Sequence, residues 1–200
     1  MKNLGILLSG RGSNFEAIAR NVQTGQIPAR IAVVISNRSD APGLRRARAM
    51  SLNAAYIPSQ GKEREAYDRE IVAALQEAQV DLVCLAGFMR ILSPGFVLSL
   101  HGRLVNIHPS LLPAFPGLHA QRQALDHGAK VAGVTVHFVD DGVDTGPIIA
   151  QASVPVRDDD TEASLSARIL VEEHRLYPEV VRLFAERRLR LVGRRVEVSR

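Results

Sequence analysis

Short apolar segments alternate with longer amphipathic segments along the first half of this chain. The apolar runs are four or five residues long and mainly aliphatic, at residues 4–8, 31–35, 54–57, 82–86 and 104–107. Helical patterns lie between them, near residues 14–24, 42–50, 63–77 and 94–100. Short aliphatic strands that alternate with helices predict a parallel sheet covered on both faces. We therefore predict a doubly wound α/β fold, which binds ligands beyond the C-terminal ends of its strands.

The pattern changes after about residue 130. Residues 131–139 alternate between two faces and residues 148–156 resemble a second strand, which predicts an antiparallel C-terminal extension of the sheet. The acidic residues before Thr161 suit a helix N-terminus and predict a long helix to about Glu186, with Pro178 as a candidate for a kink. We expect a single domain over residues 1–200, with halves at 1–110 and 111–186 and a basic tail at 187–200.

The composition is that of an ordinary globular protein, with 46% apolar and 23% charged residues. No segment approaches the about 20 consecutive apolar residues of a membrane span, and the apolar run near the N-terminus is too short for a signal-peptide core. The single cysteine, Cys84, lies inside an apolar run, where we expect a small buried side chain and not a nucleophile. These features predict a cytoplasmic protein that contacts no membrane.

The net charge of +4 arises near the C-terminus, where the residues from Arg182 onward include seven arginines and two glutamates. A basic RNA-binding module is one explanation of this charge. No aromatic residues alternate with the arginines to stack on bases, so a solvated basic tail without a nucleic-acid partner is favoured.

A glycine-rich loop lies between the first predicted strand and the first predicted helix. Gly10 and Gly12 allow a tight turn, and the helix start with Ser13 and Asn14 suits a phosphate group. A plain β–α turn without a ligand is the alternative. A dinucleotide site would need a third glycine where this chain has Phe15.

Arg38 keeps one rival function open. It follows the second predicted strand, where it could pair with the 2′-phosphate of NADP. An NADP-dependent reductase that uses the glycine loop and Arg38 is therefore the alternative enzyme class.

Polar residues with catalytic potential follow the strand at 104–107. Asn106 and His108 are two residues apart and so project from the same face of a strand, where they suit stabilisation of an oxyanion. The alternative is a structural role, in which the two polar side chains only form hydrogen bonds with the backbone of the adjacent loop. Asp144, in an acidic loop between the two later strands, would orient the imidazole if the two meet, which the sequence does not decide. The six histidines form no His-x-x-His or His-x-x-x-His pair, so no metal site is predicted.

Four blocks of sequence carry a family resemblance: residues 9–15 (SGRGSNF), 85–92 (LAGFMRIL), 106–119 (NIHPSLLPAFPGLH) and 133–149 (GVTVHFVDDGVDTGPII). The chain resembles the phosphoribosylglycinamide formyltransferases, which are folate-dependent enzymes of purine synthesis, over nearly its whole length. The resemblance implies a formyltransferase fold that includes a Rossmann-like phosphate-binding half. It further implies transfer of the formyl group of 10-formyltetrahydrofolate to the amine of glycinamide ribonucleotide. In that reaction Asn106 and His108 stabilise the oxyanion intermediate, Asp144 assists, and no metal takes part.

The resemblance also assigns binding residues. Gly12, Ser13 and Asn14 would bind the substrate phosphate, and Pro109 and Glu173 would contact the rest of that substrate. The folate residues would be Arg64, Met89, Arg90, Ile91, Leu92, Asn106, Asp140, Asp141 and Val143.

Some features refine the comparison with the family. Leu170 departs from a pattern in which some relatives have a polar residue, which puts one peripheral substrate contact in doubt. The prolines of residues 109–116 predict a cis bond, most of all at Leu112–Pro113.

Methionyl-tRNA formyltransferase and formyltetrahydrofolate deformylase share the last three blocks, but each has a further domain for which we expect no room here. A monomer or a homodimer is expected.

Overall fold

The strands follow the predicted runs closely in residues 1–199, which the computed structural model describes. In chain order they are β1 (Lys2–Leu8), β2 (Ala29–Ser36), β3 (Ala54–Tyr56), β4 (Leu82–Leu85), β5 (Leu104–His108), β6 (Val131–Phe138), β7 (Ile148–Pro155), β8 (Leu189–Val192) and β9 (Arg195–Val198). The helices are α1 (Ser13–Gln23), α2 (Pro42–Ala49), α3 (Arg64–Glu77), α4 (Pro94–Ser99), α5 (Ala120–Asp126) and α6 (Glu162–Ala185).

The central sheet has seven strands in the order β3-β2-β1-β4-β5-β6-β7. The first five strands are parallel, and β6 and β7 extend the sheet in antiparallel pairing. The chain winds outward from β1 in one direction and from β4 in the other. The loops after β1 and β4 therefore meet where the winding reverses, which is where folds of this class bind ligands.

Each face of the sheet carries its own hydrophobic core. Leu4, Ile6 and Leu8 of β1 pack on the face covered by α1, α2, α5 and α6, whereas Leu7 packs on the face covered by α3 and α4. This alternation follows from the two-residue period of a strand. The doubly wound fold with an antiparallel extension is thus confirmed.

The late helix is the longest element and buttresses the sheet. Thr161 caps it, with its side chain accepting from the amide of Ser164, and the helix continues through Pro178. Buried Tyr177 lies with its hydroxyl 3.0 Å from the carbonyl oxygen of Leu85 and 3.1 Å from that of Val105. One helix thereby contacts the backbone of two adjacent strands. Among the residues that the structure describes, no helix is both long and apolar enough to span a membrane.

The C-terminal segment differs from the prediction of a solvated tail. β8 and β9 pair in an antiparallel hairpin, with Leu189, Leu191 and Val196 packed against the core. The apolar residues alternate with charged ones, so one face of the hairpin is partly buried while the charged face remains in solvent. The short helix α5 was also not predicted, because seven residues with few apolar positions give a weak periodic signal.

Candidate active site

The predicted catalytic residues lie together at the end of β5. Asn106 and His108 project from one face of the strand, and the register with β6 places His137 opposite Asn106. The Nδ2 atom of Asn106 lies 3.4 Å from Nε2 of His137 and 3.4 Å from Oδ1 of Asp144. His108 Nδ1 lies 3.2 Å from Asp144 Oδ2. Sequence reasoning missed His137, although its strand position in the late block was a usable signal.

Two loops complete this cluster. We call residues 109–119 the proline loop and residues 139–147 the Asp144 loop. The amide of Gly117 donates to Asp144 Oδ2 at 2.8 Å, and the carbonyl oxygen of Phe115 lies 2.9 Å from His108 Nε2. The proline loop thus contacts both partners of the His108–Asp144 pair. Its Leu112–Pro113 bond is cis, as predicted.

The proline loop is itself fixed by buried polar contacts from the antiparallel strands. Thr135 donates its hydroxyl to the carbonyl oxygen of Ser110 at 2.7 Å and accepts from the amide of Leu112 at 3.0 Å. Gln151 donates from Nε2 to the carbonyl oxygen of Leu112 at 2.9 Å. The residues that make these contacts are far apart in sequence, and no short motif predicted the contacts.

The electrostatic surroundings favour an ionised Asp144. Burial raises the pKa of this carboxyl, but contacts with the His137 ring, the Gly117 amide and the His108 ring outweigh burial and hold the pKa below its usual range. The shortest of these contacts come from Gly117 and His108. The side chains of His108 and Asp144 are only 6% and 12% exposed, so water screens their interaction weakly.

The predicted phosphate loop enters α1 through a left-handed glycine. Gly12 is in the left-handed conformation at φ 75° immediately before α1, and the amides of the first helical turn have no acceptor within the helix. A Cβ at Gly12 would lie 2.9 Å from the Cα atom of Gly43, so the close packing of this loop on α2 requires glycine.

Glu173 links the late helix to this loop. Asn14 donates from Nδ2 to Glu173 Oε2 at 2.7 Å, while the buried Asn14 Oδ1 has no hydrogen-bond partner among the described residues. Burial raises the pKa of Glu173, although the bond from Asn14 and the charge of His108 oppose that effect. Half-buried Leu170 lies one helical turn earlier in α6.

The loop after β4 adjoins the loop after β1. Ser9 Oγ accepts from the amide of Met89 at 2.8 Å and donates to Asn37 Oδ1 at 2.6 Å. Arg90 lies over the ring of Tyr67 at 4.8 Å and donates to the carbonyl oxygens of residues 59 and 62. Sequence reasoning overlooked Ser9, which joins three loops at the C-terminal edge of the parallel strands.

The remaining candidates are placed less centrally. Met89, Ile91 and Val143 are exposed apolar side chains, at 71%, 66% and 59% exposure, and Leu92 packs on the second core. Arg64 and Asp141 are exposed, and within residues 1–199 no hydrogen bond or ion pair joins either side chain to the catalytic cluster. Pro109 directly follows His108 and is partly buried.

Two other sequence expectations concern single residues. Cys84 is fully buried, and burial raises its thiol pKa, as expected of a packing residue. Arg38 is exposed and pairs with Asp40, with Nη2 lying 3.0 Å from the carboxylate.

Within residues 1–199, no three His, Cys, Asp or Glu side chains are grouped as a metal site would require.

Comparison with known proteins decides the family. Residues 2–181 match the model of the family described as formyl transferase. The chain belongs to the formyl transferase family. The resemblance inferred from the four sequence blocks is thereby confirmed.

The names of individual relatives of this chain agree with the family assignment. It is 48% identical to the Escherichia coli phosphoribosylglycinamide formyltransferase, over 94% of this chain and 90% of the relative. The Drosophila melanogaster trifunctional purine biosynthetic protein adenosine-3 is 50% identical over 90% of this chain, which spans 14% of that longer protein. The crystal structure of glycinamide ribonucleotide transformylase 1 from Symbiobacterium toebii superposes with a TM-score of 0.98 at 54% identity, covering 100% of this chain and 95% of that one.

Proposed function

We propose that this protein transfers the formyl group of 10-formyltetrahydrofolate to the amine of glycinamide ribonucleotide, a step of purine biosynthesis that would take place in the cytoplasm. The observation that carries the proposal is the meeting of Asn106, His108 and Asp144 at the end of β5, with the His108–Asp144 contact at 3.2 Å. Family membership and the printed names of the relatives support it.

The substrate side of the proposal is supported by the first turn of α1. Gly12, Ser13 and Asn14 would bind the phosphate through backbone amides and the helix dipole. The unpartnered Oδ1 of Asn14 suits a donor such as an amine or a hydroxyl group, and Glu173 lies beside it at 2.7 Å from Nδ2. Pro109 would contact the same substrate. A phosphorylated amine fits this combination of an anion site and neighbouring acceptors.

The folate side of the proposal uses the loop after β4 and the Asp144 loop. Met89, Ile91 and Val143 present apolar surface to solvent, as residues that pack on an aromatic ring system would. Arg64, Arg90, Leu92, Asp140 and Asp141 belong to the same proposed binding region as the family resemblance assigns it. Asn106, which contacts Asp144, would border both substrates.

The chemistry that these residues would perform is stabilisation of charge and movement of a proton. 10-Formyltetrahydrofolate supplies the formyl carbon, which the amine of the other substrate attacks. The Asn106 amide would donate to the formyl oxygen as it becomes negative, a donor of this kind being worth roughly 3–4 kcal/mol of barrier, and the His108 ring beside it would stabilise the same charge. Asp144 would orient His108 and accept the proton that the amine loses, directly or through water. That proton would replace the formyl group on the departing folate nitrogen. No metal is needed for these steps.

Mixing the protein with both substrates and following folate absorbance tests this proposal directly. We expect deformylated folate and formylated glycinamide ribonucleotide to appear in equal amounts, with mass spectrometry identifying the latter. Loss of the formyl group without glycinamide ribonucleotide would indicate a hydrolase instead. NADPH binding tests the reductase alternative, which family membership does not favour.

A further inference from the structure

The basic C-terminal segment reaches the catalytic region through one arginine. Arg194 lies at the turn between β8 and β9 and donates from Nη2 to the carbonyl oxygen of Thr145 at 2.6 Å. Its Nη1 atom lies 3.9 Å from Oδ2 of Asp140. One guanidinium therefore contacts both sides of the segment that contains Asp144.

The Asp144 loop is also closed at this point by its own side chains. Asp140 Oδ1 accepts from the Thr145 hydroxyl at 2.6 Å and from the Gly142 amide at 3.2 Å. A Cβ at Gly142 would collide with the Thr145 hydroxyl, so the tight closure requires glycine there. One oxygen of Asp140 thus closes the loop internally while the other faces Arg194.

This closed loop carries Asp144 in a backbone conformation that side chains disfavour. Asp144 has φ 55°, in the left-handed region that residues other than glycine adopt less readily. Such a conformation persists where surrounding contacts determine it. The contacts with Gly117 and His108 constrain the side chain of Asp144, and the closure between Asp140 and Thr145 constrains the backbone on either side of it.

The hairpin gives Arg194 a fixed position. Leu189, Leu191 and Val196 pack on the core, and the amide of Ser199 donates to the carbonyl oxygen of Arg188 at 2.9 Å, which closes the base of the hairpin. Arg194 itself is 75% exposed, so its contacts contribute little to global stability. They act on the conformation of one loop.

We propose that Arg194 is a positioning residue, which keeps the segment from Asp140 to Thr145 closed and thereby holds Asp144 against His108. Its effect on rate is exerted through Asp144, and only this kinetic part rests on the proposed function. The hairpin is then part of the catalytic framework and not a solvated tail.

Hydrogen exchange tests the structural part without any substrate. In Arg194→Ala we expect the amides of residues 142–145 to exchange about three- to tenfold faster, because a charge-assisted hydrogen bond of an exposed group is worth about that factor. Arg195→Ala is the matched control, since Arg195 is exposed on the same hairpin and contacts neither Asp140 nor Thr145 within residues 1–199. Equal exchange in the two variants would overturn the proposal. Arg194→Lys, which keeps a donor and the charge, should recover part of the protection.

Kinetics test whether the effect passes through Asp144. Arg194→Ala should lower kcat about three- to tenfold while the KM for glycinamide ribonucleotide stays within about twofold, as for loss of an interaction that acts on the reacting groups. The same substitution in an Asp144→Asn background should have little further effect, because the group being positioned is already gone. Additive losses would assign Arg194 a role independent of Asp144 and overturn the proposal. If the parent protein transfers no formyl group, the proposed function fails, and the exchange comparison still decides the role of Arg194.

Discussion

The Nδ1 atom of His108 faces Asp144 Oδ2 at 3.2 Å, while the other ring nitrogen of His108 faces the carbonyl oxygen of Phe115 at 2.9 Å. Both ring nitrogens therefore lie against oxygen acceptors. An imidazolium ion satisfies this arrangement with a donor on each nitrogen, whereas a neutral ring satisfies only one of the two. These two contacts fix the orientation of the ring at the end of β5.

The oxyanion assignment makes a kinetic prediction. Asn106→Ala and His108→Ala should each lower turnover by about a hundredfold or more, while substrate affinity changes little, because groups that stabilise an oxyanion act mainly in the transition state. Single-turnover rates and calorimetric binding constants measure the two effects separately. Full turnover in either variant would contradict the assignment.

The two carboxylates of the Asp144 loop should differ in importance. Asp144→Asn keeps the size of the side chain and removes the charge next to His108, so we expect a loss of turnover far larger than in Asp140→Asn. Asp140 contacts Thr145 and Arg194, at the base of the loop. Steady-state kinetics of both variants across pH provide the comparison. Small and equal losses would make Asp144 structural and require another proton carrier.

The lowered pKa of Asp144 predicts the pH response of its loop. A carboxyl whose pKa is lower in the folded state stabilises that state above the unfolded pKa of about 3.9, and the contribution is lost as pH falls through the folded pKa. Acidification below about pH 4 should therefore release the loop, which amide exchange of residues 142–145 would detect. Asp144→Asn lacks this titration, so a loop response to acid that is identical in the variant would point to another group.

Glu173 should respond to pH in the opposite sense. Because burial raises the pKa of Glu173 above its unfolded value, its ionisation destabilises the folded protein as pH rises through the folded pKa. Glu173→Gln keeps an acceptor for Asn14 and removes the buried charge. We expect unchanged or higher thermal stability near neutral pH together with a higher KM for glycinamide ribonucleotide. A lower KM would argue against a substrate contact.

The reductase alternative depends on Arg38 and is tested by its removal. Arg38 is exposed and paired with Asp40, so Arg38→Ala should leave formyl transfer within about twofold of the parent rate. A large loss of activity, or measurable NADPH binding by the parent protein, would restore that alternative.

Local patterns in the sequence were sufficient to predict the main architecture. Short aliphatic runs, the two-residue alternation of the later strands and the 3.6-residue period of helices depend on neighbouring residues only, and they placed the strands of the central sheet and all the long helices. The glycines likewise predicted the tight turn before α1, which the left-handed Gly12 forms, and phosphate binding there stays a prediction. The catalytic candidates Asn106 and His108 were recognisable because their two-residue spacing places them on one face of β5.

Only the tertiary structure decided which of these residues meet. Asp144 reaches His108 because strand register, the proline loop and the left-handed backbone at Asp144 combine, and each involves residues distant in sequence. His137 and Gly117 are likewise brought into the site by contacts between segments that are distant in sequence. The hairpin at β8 and β9 was misjudged because its net charge suggested solvation, whereas its alternating apolar residues find a surface to cover only once the core exists. Periodicity fixes local conformation, but contacts between distant segments depend on packing, which no local pattern encodes.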